Sequence, residues 1–480
     1  MILSRGLDVV FYPRSVALLG ASEAVSFYID PISASLGDRF FLVNPKRSEV
    51  FGLRCYPSIM DVPEPVDYVI FAVPAGIVPR VLDECGRKGV RVAHIYSSGF
   101  GETGLEEGEK LEEDVLRVSR SYGMRIIGPN CMGVYCPESG LFFSHDLPSE
   151  AGSVAFLSQS GGQAVNFVLR GASRGLRFSK VVSYGNALDV GFVELVDYLA
   201  EDPKTSIIGA YVEGLRKTDG LLETLKKASA RKPLVILKGG QTEDGTRAAA
   251  SHTGVLAGSA KIWEGFLKQV NAIRVETFDE MADVMVGFLH AFPPEGRGVS
   301  IVTTSGGSAV IHTDLCVKVG LLVPGFSEET QRELRGIIPL AGSSIRNPLD
   351  AWFAFHSGVL PGALDIVSRD ERVHSLIIEV QSEGFRAYTP AEPSVVDEFT
   401  RVLGETCRRI MDERGKPVMI AVTQSIYQDL EARIRSTLLS MGLPIYQSIF
   451  DAAKTLSRLH QYSSTKKLKG EEESGTGSSG

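Results

Sequence analysis

With 480 residues, the chain is too long to fold around a single hydrophobic core, and we expect about two to four domains. Hydrophobic residues make up 44% of it and charged residues 22%, which is typical of an ordinary globular protein. The 58 acidic residues outnumber the 50 basic ones, and no Lys/Arg block forms a phosphate-tracking face, so we expect no nucleic-acid partner.

Nothing in the early sequence indicates export or membrane insertion. The longest apolar run near the start, Val16–Leu19, is far shorter than a membrane span or a signal-peptide core. The six cysteines include no C-x-x-C pair, and even the close pair Cys131 and Cys136 suits buried, reduced thiols better than a disulfide framework or a zinc site. We therefore expect a cytoplasmic protein with no membrane segment and no metal site of its own.

Short β-branched or aromatic runs alternate with helical stretches along the chain, which predicts parallel, doubly wound α/β domains. The predicted strands are 16–19, 40–43, 68–72, 90–96, 124–127, 154–157, 206–212, 233–237, 299–302, 375–380 and 417–422. Turn-rich junctions near 136–152 and 292–298 separate three blocks of normal domain size. We predict domains at 1–140, 150–292 and 297–463, and a disordered tail at 464–480, which has almost no apolar residues.

The first block opens with a strand that runs into Gly20-Ala21-Ser22, a tight turn like the start of a dinucleotide-binding unit. The other glycines of that fingerprint are missing. The second strand ends at Asn44-Pro-Lys46, where a basic residue suits a phosphate and disfavours NAD. A nucleotide-like fold without any ligand is the alternative.

The second and third blocks contain an internal repeat, which predicts that they are copies of one fold. Residues 153–165, SVAFLSQSGGQAV, reappear at 298–310 as GVSIVTTSGGSAV. Three shorter matches follow in the same order: Asn186-Ala-Leu-Asp189 with Asn347-Pro-Leu-Asp350, Glu213-Gly214 with Glu383-Gly384, and Lys232-Pro233 with Lys416-Pro417. The copies differ at 239–254, a segment that contains a histidine only in block two, and such added loops more often serve function than packing.

Ser158-Gln-Ser160-Gly161-Gly162 follows the first strand of block two and opens a helix. Free backbone N–H groups, the helix dipole and two residues without side chains together form an anion cradle. A plain serine N-cap, with glycines that allow helix–sheet contact, has the same pattern. The copy at Ser305-Gly306-Gly307 needs no more than that cap, so the sequence leaves both interpretations open.

His252 lies among Gly, Ala, Ser and Thr, whereas a core histidine is expected among large apolar residues. A neutral imidazole nitrogen is a competent nucleophile towards a phosphoryl group, and small neighbours permit close approach and loop movement. Glu213, at a predicted strand end, is a candidate to accept the other ring N–H. A salt bridge from Glu213 to a surface cation is the alternative, which Glu383 in the copy keeps open.

A hydrolase is a rival interpretation, because Ser160, Glu213 and His252 follow the Ser, acid, His order of an α/β-hydrolase triad. The nucleophile elbow requires a glycine two residues before the serine, and Ser158 stands there instead. A mobile loop of small residues is also a poor holder for a general base, which needs fixed geometry. The pattern therefore favours phosphoryl transfer over hydrolysis.

Four motifs, Gly128-Pro-Asn130, Ser158–Gly162, Val212-Glu-Gly214 and Ser251-His-Thr-Gly254, occur in this order. Together they resemble the α subunits of the ADP-forming acetyl-CoA synthetases, within the succinyl-CoA synthetase superfamily, and the resemblance extends to about residue 460. It implies an N-terminal Rossmann-like CoA-binding domain followed by two flavodoxin-like, doubly wound parallel-sheet domains.

The resemblance also implies roles for individual residues. Coenzyme A would be approached by Gly20, Ala21, Ser22 and Lys46 and lined by Val73, Pro74, Ser97 and Ser98, with Asn130 nearby. His252 would be phosphorylated, Glu213 would orient it, and Ser160, Gly161 and Gly162 would cradle the phosphate. An ATP-grasp β subunit would bind ADP or ATP and Mg²⁺, in an α2β2 heterotetramer. In agreement, this chain has no G-x-x-x-x-G-K-[ST] loop.

The implied reaction interconverts an acyl-CoA, ADP and phosphate with an acid, ATP and CoA, through an acyl phosphate and a phosphohistidine. Succinate-using relatives carry a tyrosine where this chain has Val165, and they lack block three, so a small monocarboxylic acid such as acetate fits better. A CoA-sensing or acyltransferase module, which would not pass a phosphoryl group through a histidine (the phosphohistidine relay), is a third hypothesis. Such relatives typically lack the phosphorylated histidine.

Overall fold

The computed structural model describes residues 6–253, 260–388 and 392–475, without the side chains of residues 249–253, 260, 356, 387–388 and 467–475. The described chain forms three sheets. It divides into two compact units on either side of the bond between Met281 and Ala282. The first unit contains two of the sheets and the second unit contains one.

The first sheet has the strand order of a dinucleotide-binding fold. In the order β3-β4-β2-β1-β5-β6-β7 it consists of β1 (Val16–Leu19), β2 (Phe40–Val43), β3 (Glu49–Val50), β4 (Leu53–Tyr56), β5 (Tyr68–Phe71), β6 (Val92–Ile95) and β7 (Arg125–Ile127). Its helices are α1 (Asp8–Phe11), α2 (Ser26–Leu36), α3 (Val78–Lys88) and α4 (Glu106–Tyr122). Every residue of β1, β2, β5 and β6 is buried, as expected for parallel strands covered on both faces.

The second sheet also belongs to the first unit. In the order β13-β12-β11-β9-β10-β8 it consists of β8 (Gly133–Tyr135), β9 (Ala151–Ser158), β10 (Phe178–Ser183), β11 (Ile207–Val212), β12 (Leu234–Lys238) and β13 (Ile273–Val275). Its helices are α5 (Gly161–Ser173), α6 (Phe192–Glu201), α7 (Leu221–Arg231), α8 (Glu243–Thr253) and α9 (Ala260–Gln269). Helix α10 (Phe278–His290) begins in the first unit and ends in the second. Apart from β8, which is antiparallel to β10, the strands follow the flavodoxin order 2-1-3-4-5.

The third sheet forms the second unit and has the same flavodoxin order. In the order β15-β14-β16-β17-β18 it consists of β14 (Val299–Thr303), β15 (Leu349–Asp350), β16 (Ser375–Val380), β17 (Val418–Val422) and β18 (Ile445–Tyr446). Its helices are α11 (Gly306–Lys318), α12 (Glu328–Arg335), α13 (Trp352–Ser357), α14 (Leu360–Arg369), α15 (Pro393–Arg414), α16 (Gln428–Ser440) and α17 (Ile449–Gly475). All its strand pairs are parallel.

The structure confirms the predicted fold class and the predicted duplication. The second and third sheets share one strand order, and matched residues make matched contacts. Lys232 Nζ donates a hydrogen bond to the carbonyl oxygen of Asp202 at 2.6 Å, and Lys416 Nζ donates to that of Asp370 at 2.8 Å. In both copies the lysine therefore joins the loop before one strand (β12 or β17) to the loop before the neighbouring strand (β11 or β16). The domain boundaries at 140, 150, 292 and 297 remain a proposal.

The structure differs from the sequence prediction in three places. The short strand β8 pairs with β10, so the chain joins the second sheet before the predicted junction at 136–152. The segment predicted as a loop around His252 is helical from Glu243 to Thr253, because acidic residues in the first turn and a run of alanines favour a helix. Helix α17 includes residues 464–475 of the tail that was predicted to be disordered, and residues 476–480 of that tail lie outside the described residues.

The cysteines and helices also bear on the expected environment. All six cysteines are free and buried, which confirms the prediction of scattered buried thiols. In the described ranges of the chain, no helix combines the length and the apolarity needed to cross a bilayer.

A buried ion pair stabilises the second sheet. Lys180, on β10, has a fully buried side chain, and its Nζ lies 2.7 Å from Oδ2 of Asp202. Burial on its own would raise the pKa of Asp202, but hydrogen bonds from Lys180 and Thr205 lower it below its usual value. The Lys180 ammonium also lies 5.2 Å from the centre of the Tyr12 ring. The positive charge of the buried Lys180 is thus balanced by the Asp202 carboxylate and by an aromatic ring.

Asp202→Asn is expected to destabilise the protein by about 3 kcal/mol, because it leaves a buried ammonium without its counter-charge. Urea-induced unfolding measures this change. The control Asp197→Asn breaks the partly exposed pair with Lys227 and is expected to cost less than about 1 kcal/mol. Equal effects of the two substitutions would contradict the assigned role of the buried pair.

Candidate functional site

The turn after β1 and the loop after β5 approach each other closely at a glycine. Gly20 has φ +82°, and a Cβ there would lie 2.2 Å from the carbonyl oxygen of Ala72 and 3.0 Å from Cγ1 of Val73. Its N–H donates to the carbonyl oxygen of Val43 at 2.9 Å. A larger residue would separate the two loops, so the glycine is needed for close approach as well as for its backbone conformation.

The turns after β1 and β2 are joined by one asparagine. Asn44 Nδ2 donates to the carbonyl oxygen of Ala21 at 2.8 Å, and Asn44 Oδ1 accepts from the backbone N–H of Lys46 at 2.9 Å. The Lys46 side chain is exposed, and Ser22 is half-buried next to the β1 turn. An exposed cation therefore lies on a turn that is fixed to the Gly20 turn.

Hydrogen bonds also link the loops after β5, β6 and β7. Ser97 Oγ donates to the carbonyl oxygen of Val73, and the backbone N–H of Asn130 donates to that of Ser97 at 3.0 Å. Pro74 and Ser98 are exposed on these loops. Contacts between consecutive loops thus connect the predicted residues of the first sheet along the carboxyl edge of its strands, where ligands bind in open α/β sheets.

A backbone ladder joins this edge to the second sheet. Three hydrogen bonds form it: Asn186 N–H to Pro129 O at 3.0 Å, Leu188 N–H to Gly128 O at 2.9 Å, and Val190 N–H to Ile126 O at 3.2 Å. Gly185 begins the paired segment with φ +52°, and a Cβ there would lie 2.3 Å from Pro129 O. The two segments therefore approach more closely than any side chain at this position permits.

Asn186 is fixed by two carboxylates of the first domain. Its Nδ2 donates to Oε2 of Glu102 at 2.6 Å and to Oε1 of Glu112 at 3.0 Å. Glu112 in turn accepts from Nη1 of Arg216 at 2.7 Å. Because the amide nitrogen is committed to these carboxylates, the orientation of the Asn186 side chain is set by the first domain.

Ser160 caps helix α5, and its Oγ accepts from the N–H of Gln163 at 3.5 Å. The copy has the same cap, with Ser305 Oγ accepting from the N–H of Ser308 at 3.4 Å. The cap therefore belongs to the shared scaffold. A Cβ on Gly162 would meet nothing within 4 Å, so the backbone at the start of α5 is open to a ligand.

A cavity of about 230 Å³ opens at this helix start. It brings together four of the predicted residues, Asn130, Ser160, Gly161 and Gly162, with six others: Tyr96, Cys131, Met132, Gln159, Gly185 and Asn186. None of these ten lining residues has a charged side chain. The described lining of the cavity therefore offers backbone and side-chain dipoles to a ligand, but no fixed ion.

Glu213 directly follows β11 and is only 6% exposed. Gln159 Oε1 accepts from the N–H groups of Glu213 and Gly214, at 2.9 and 3.0 Å. Burial raises the pKa of the neighbouring Tyr211, and the Glu213 carboxylate raises it further. In the copy, the residue that directly follows the matched strand β16 is Gln381, so Glu383 is not the positional equivalent.

The backbone of His252 lies near the end of α8, while its side chain lies outside the described residues. The predicted contact between His252 and Glu213 accordingly stays a prediction. Two residues at the site were missed by the sequence reasoning, Gln159 and Asn186. Both lie within repeated segments, but their roles depend on contacts between elements that are distant in sequence.

Two family models match the chain. Residues 14–137 match a CoA binding domain, and residues 151–288 match a succinyl-CoA ligase like flavodoxin domain. The first range contains the first sheet and β8, and the second range contains the other five strands of the second sheet.

Curated relatives match over almost the whole chain. The alpha subunit of acetate–CoA ligase (ADP-forming) II from Pyrococcus furiosus is 34% identical over 459 residues, which is 95% of this chain and 97% of that protein. The alpha subunit of form I from the same organism is 34% identical over 96% of this chain and 98% of that protein. The acetate–CoA ligase (ADP-forming) II of Archaeoglobus fulgidus is 33% identical over 94% of this chain but only 66% of its own length.

Solved structures have the same fold. The dinucleotide-forming acetyl-coenzyme A synthetase 1 of Ca. Korarchaeum cryptofilum, in complex with phosphate and ADP, is similar with a TM-score of 0.79 and 29% identity, over 96% of this chain and 97% of that one. A protein from Pyrococcus horikoshii OT3 is similar with a TM-score of 0.80 and 29% identity, over 96% and 99% of the two chains.

Gly185→Ala is expected to destabilise the protein by about 2 kcal/mol or more, because a methyl group would collide with Pro129 O and the backbone is left-handed there. Urea-induced unfolding tests this expectation. The control Gly265→Ala, in helix α9 with nothing within 4 Å of the added methyl group, is expected to be neutral or stabilising by up to about 1 kcal/mol. A neutral Gly185→Ala variant would show that the two segments do not need this close approach.

Proposed function

The chain belongs to the family of ADP-forming acetate–CoA ligase alpha subunits, and from that premise we propose that it binds coenzyme A and carries the phosphorylated histidine of an ADP-forming acyl-CoA synthetase. One observation carries the proposal. Asn130, from the domain that matches CoA-binding proteins, and Ser160, from the succinyl-CoA-ligase-like domain, line a single cavity. Glu213 lies buried at the end of the neighbouring strand.

In this proposal, a phosphate oxygen attacks the carbonyl carbon of the acyl thioester, the C–S bond breaks, and an acyl phosphate forms. A ring nitrogen of His252 then attacks phosphorus, and the carboxylate leaves. ADP takes the phosphoryl group from the histidine, and the synthetic direction reverses each step. The protein contributes mainly by positioning and by dipoles, as is usual for phosphoryl transfer.

Each proposed site residue has a specific task. The free N–H groups at the start of α5, around Ser160, Gly161 and Gly162, bind the phosphate, because the open helix terminus carries partial positive charge. Glu213 accepts the ring N–H of His252 that does not react, which fixes the tautomer and stabilises positive charge on the ring.

The edge of the first sheet fits a phosphate-bearing cofactor such as coenzyme A. Ligand phosphates would meet the backbone N–H group of Ser22 in the turn that follows Gly20, with the exposed ammonium of Lys46 on the neighbouring turn. Coenzyme A supplies the thiol of the thioester. The loops with Val73, Pro74, Ser97 and Ser98 lead from this turn towards Asn130 through the contacts described above.

The cavity favours a small monocarboxylic acid. Its lining residues carry no charge, so the second carboxylate of a dicarboxylic acid would lose its hydration without gaining a counter-ion. Its volume of about 230 Å³ also limits the length of the acyl group. We therefore propose acetate, or an acid of similar size, as the substrate.

The proposal includes a separate partner subunit with an ATP-grasp fold, which would bind ADP or ATP with Mg²⁺ in an α2β2 complex. The lengths of the relatives support a partner. Those named as alpha subunits match this chain from end to end, whereas the Archaeoglobus fulgidus relative extends well beyond it. A cytoplasmic location is proposed from the six free thiols.

Acetyl-CoA with [³²P]phosphate, or [γ-³²P]ATP with the partner subunit, is expected to label the protein at His252 in an acid-labile, base-stable form. His252→Ala is expected to abolish the label. Glu213→Gln is expected to slow labelling by about a hundredfold, because the ring loses the carboxylate that fixes its tautomer. Rapid-quench labelling measures both effects.

His145→Ala, which removes an exposed histidine, is the matched control and is expected to label normally. Label that persists in His252→Ala would disprove the relay. If the wild-type chain binds coenzyme A without any label, the protein is a CoA-binding module of the acyltransferase or regulatory type. Reaction of Ser160 with a fluorophosphonate would instead indicate a hydrolase.

Met132→Ala is expected to shift acid preference towards longer chains. The Met132 side chain packs beside Gly161, and removing it widens the cavity. The kcat/KM ratio of isobutyrate to acetate is expected to rise by about tenfold. Met60→Ala removes an exposed methionine from outside the cavity and is expected to leave the ratio unchanged. An unchanged ratio in both variants would place the acyl group elsewhere.

A further inference from the structure

The two flavodoxin-like copies share one lysine and differ in another. Lys232 and Lys416 occupy matched positions before β12 and β17 and donate to matched backbone carbonyl groups, so this lysine belongs to the scaffold. At the carboxyl end of the same strands, the residues differ. Lys238 pairs in register with the last residue of β11, and Val422 pairs with the last residue of β16. Only the copy with the histidine segment has a lysine here.

Lys238 makes three contacts at this strand end. Its Nζ donates to the carbonyl oxygen of Glu213 at 2.8 Å and to that of Gly239. It also lies 5.8 Å from the centre of the Trp263 ring, within the range of a cation–π interaction. Lys238 as a whole is only 3% exposed.

These contacts connect both ends of the histidine segment, which is the part of the chain between β12 and α9 that contains His252. Gly239 is the residue at which the chain leaves β12 towards His252, and Trp263 lies in α9, to which the chain returns. Glu213 is the third point of attachment. One ammonium group thus binds the entry of the segment, contacts its exit, and holds the backbone of the proposed orienting carboxylate.

A role in stability alone does not account for Lys238. Burial lowers the pKa of its ammonium, while the nearby charge of Glu213 acts in the opposite direction. A buried ammonium has a high desolvation cost, and well-packed apolar residues at such positions are often at least as stabilising. The copy demonstrates this alternative, because Val422 completes the same strand with a buried aliphatic side chain.

We propose that Lys238 is a positioning residue for phosphoryl transfer, which fixes both ends of the histidine segment relative to Glu213. This inference rests on the proposed function, because it assumes that His252 is the phosphorylated residue. Fixed ends reduce the number of positions that the imidazole samples when it approaches the phosphoryl group. The substitution Lys238→Met should therefore lower kcat and leave the KM for acetyl-CoA nearly unchanged, since Lys238 does not line the proposed acyl cavity.

The test compares Lys238→Met with Lys232→Met in the full chain. Both substitutions remove an ammonium that donates to two backbone carbonyl groups, at opposite ends of the same strand. Rapid-quench labelling with acetyl-CoA and [³²P]phosphate is expected to be slowed about ten- to hundredfold in Lys238→Met and less than about threefold in Lys232→Met. Urea-induced unfolding shows how far each variant is destabilised.

A second variant keeps the test decisive if Lys238→Met does not fold. Trp263→Leu removes only the contact at the exit of the segment, from a half-buried position, and is expected to slow labelling by about three- to tenfold. Normal labelling in the folded variants, or equal slowing in Lys238→Met and Lys232→Met, would overturn the positioning role.

The failure of this inference can be distinguished from failure of the proposed function. If wild-type protein is labelled and His252→Ala is not, the relay stands, and a normal rate in Lys238→Met rejects only the inference about the lysine. If wild-type protein takes no label, or His252→Ala keeps it, the proposed function fails first and the positioning role fails with it.

Discussion

The proposed site depends on the pairing of two backbone segments, 126–130 at the end of β7 and 186–190 after β10. Their three hydrogen bonds join the carboxyl edge of the first sheet to that of the second, and Gly185 provides the clearance. Arg125, at the start of this ladder, forms salt bridges with Asp189 at 2.9 Å and Glu194 at 2.7 Å. Because both edges are held in register, a residue from each domain can line one small cavity.

The duplicated domain provides an internal control for separating scaffold from chemistry. Features present in both copies are requirements of the fold. Examples are the serine caps and the lysines, Lys232 and Lys416, that join two neighbouring loops. The interiors beside the matched helices differ. Phe167 and Tyr211 lie in an aromatic cluster with Phe278, whereas the matched positions in the other copy are His312 and Glu379, whose Nε2 and Oε1 atoms lie 3.0 Å apart in a hydrogen bond. The same backbone thus accommodates apolar or polar side chains at these positions, so fold alone does not determine function.

The sequence predicted the central strands well because their residues form continuous apolar runs, as in β1, β2 and β5. It missed β10, Phe178–Ser183, although every residue of that strand is buried. Its polar residues broke the apolar pattern, and their partners lie far away: Lys180 pairs with Asp202, and Ser179 with Thr205. Five strands of two or three residues, β3, β8, β13, β15 and β18, were also missed, whereas the three-residue strand β7 was predicted. Burial that is made possible by a distant partner cannot be read from local sequence.

The same limit applied to the candidate site. Asn130, Ser160 and Glu213 were identified because they lie in short motifs shared with a known family. Gln159 and Asn186 were not, because their roles arise from hydrogen bonds to strand ends and carboxylates of other elements. The histidine segment was predicted as a loop, since glycine and small residues suggested mobility, but its alanines and acidic first turn favour the helix α8.

The absence of charge in the described lining of the cavity has a physical advantage for a relay. An acyl phosphate and a phosphohistidine both carry negative charge, and each must be released to the next acceptor. Fixed cations in the cavity would stabilise the bound intermediates as much as the transition states, and such uniform binding does not accelerate transfer. Backbone N–H groups at a helix terminus supply smaller, directional partial charges. The side chains of Glu213 and Lys238 do not belong to this lining, so in the proposed relay they can fix the ends of the histidine segment without binding the phosphoryl group.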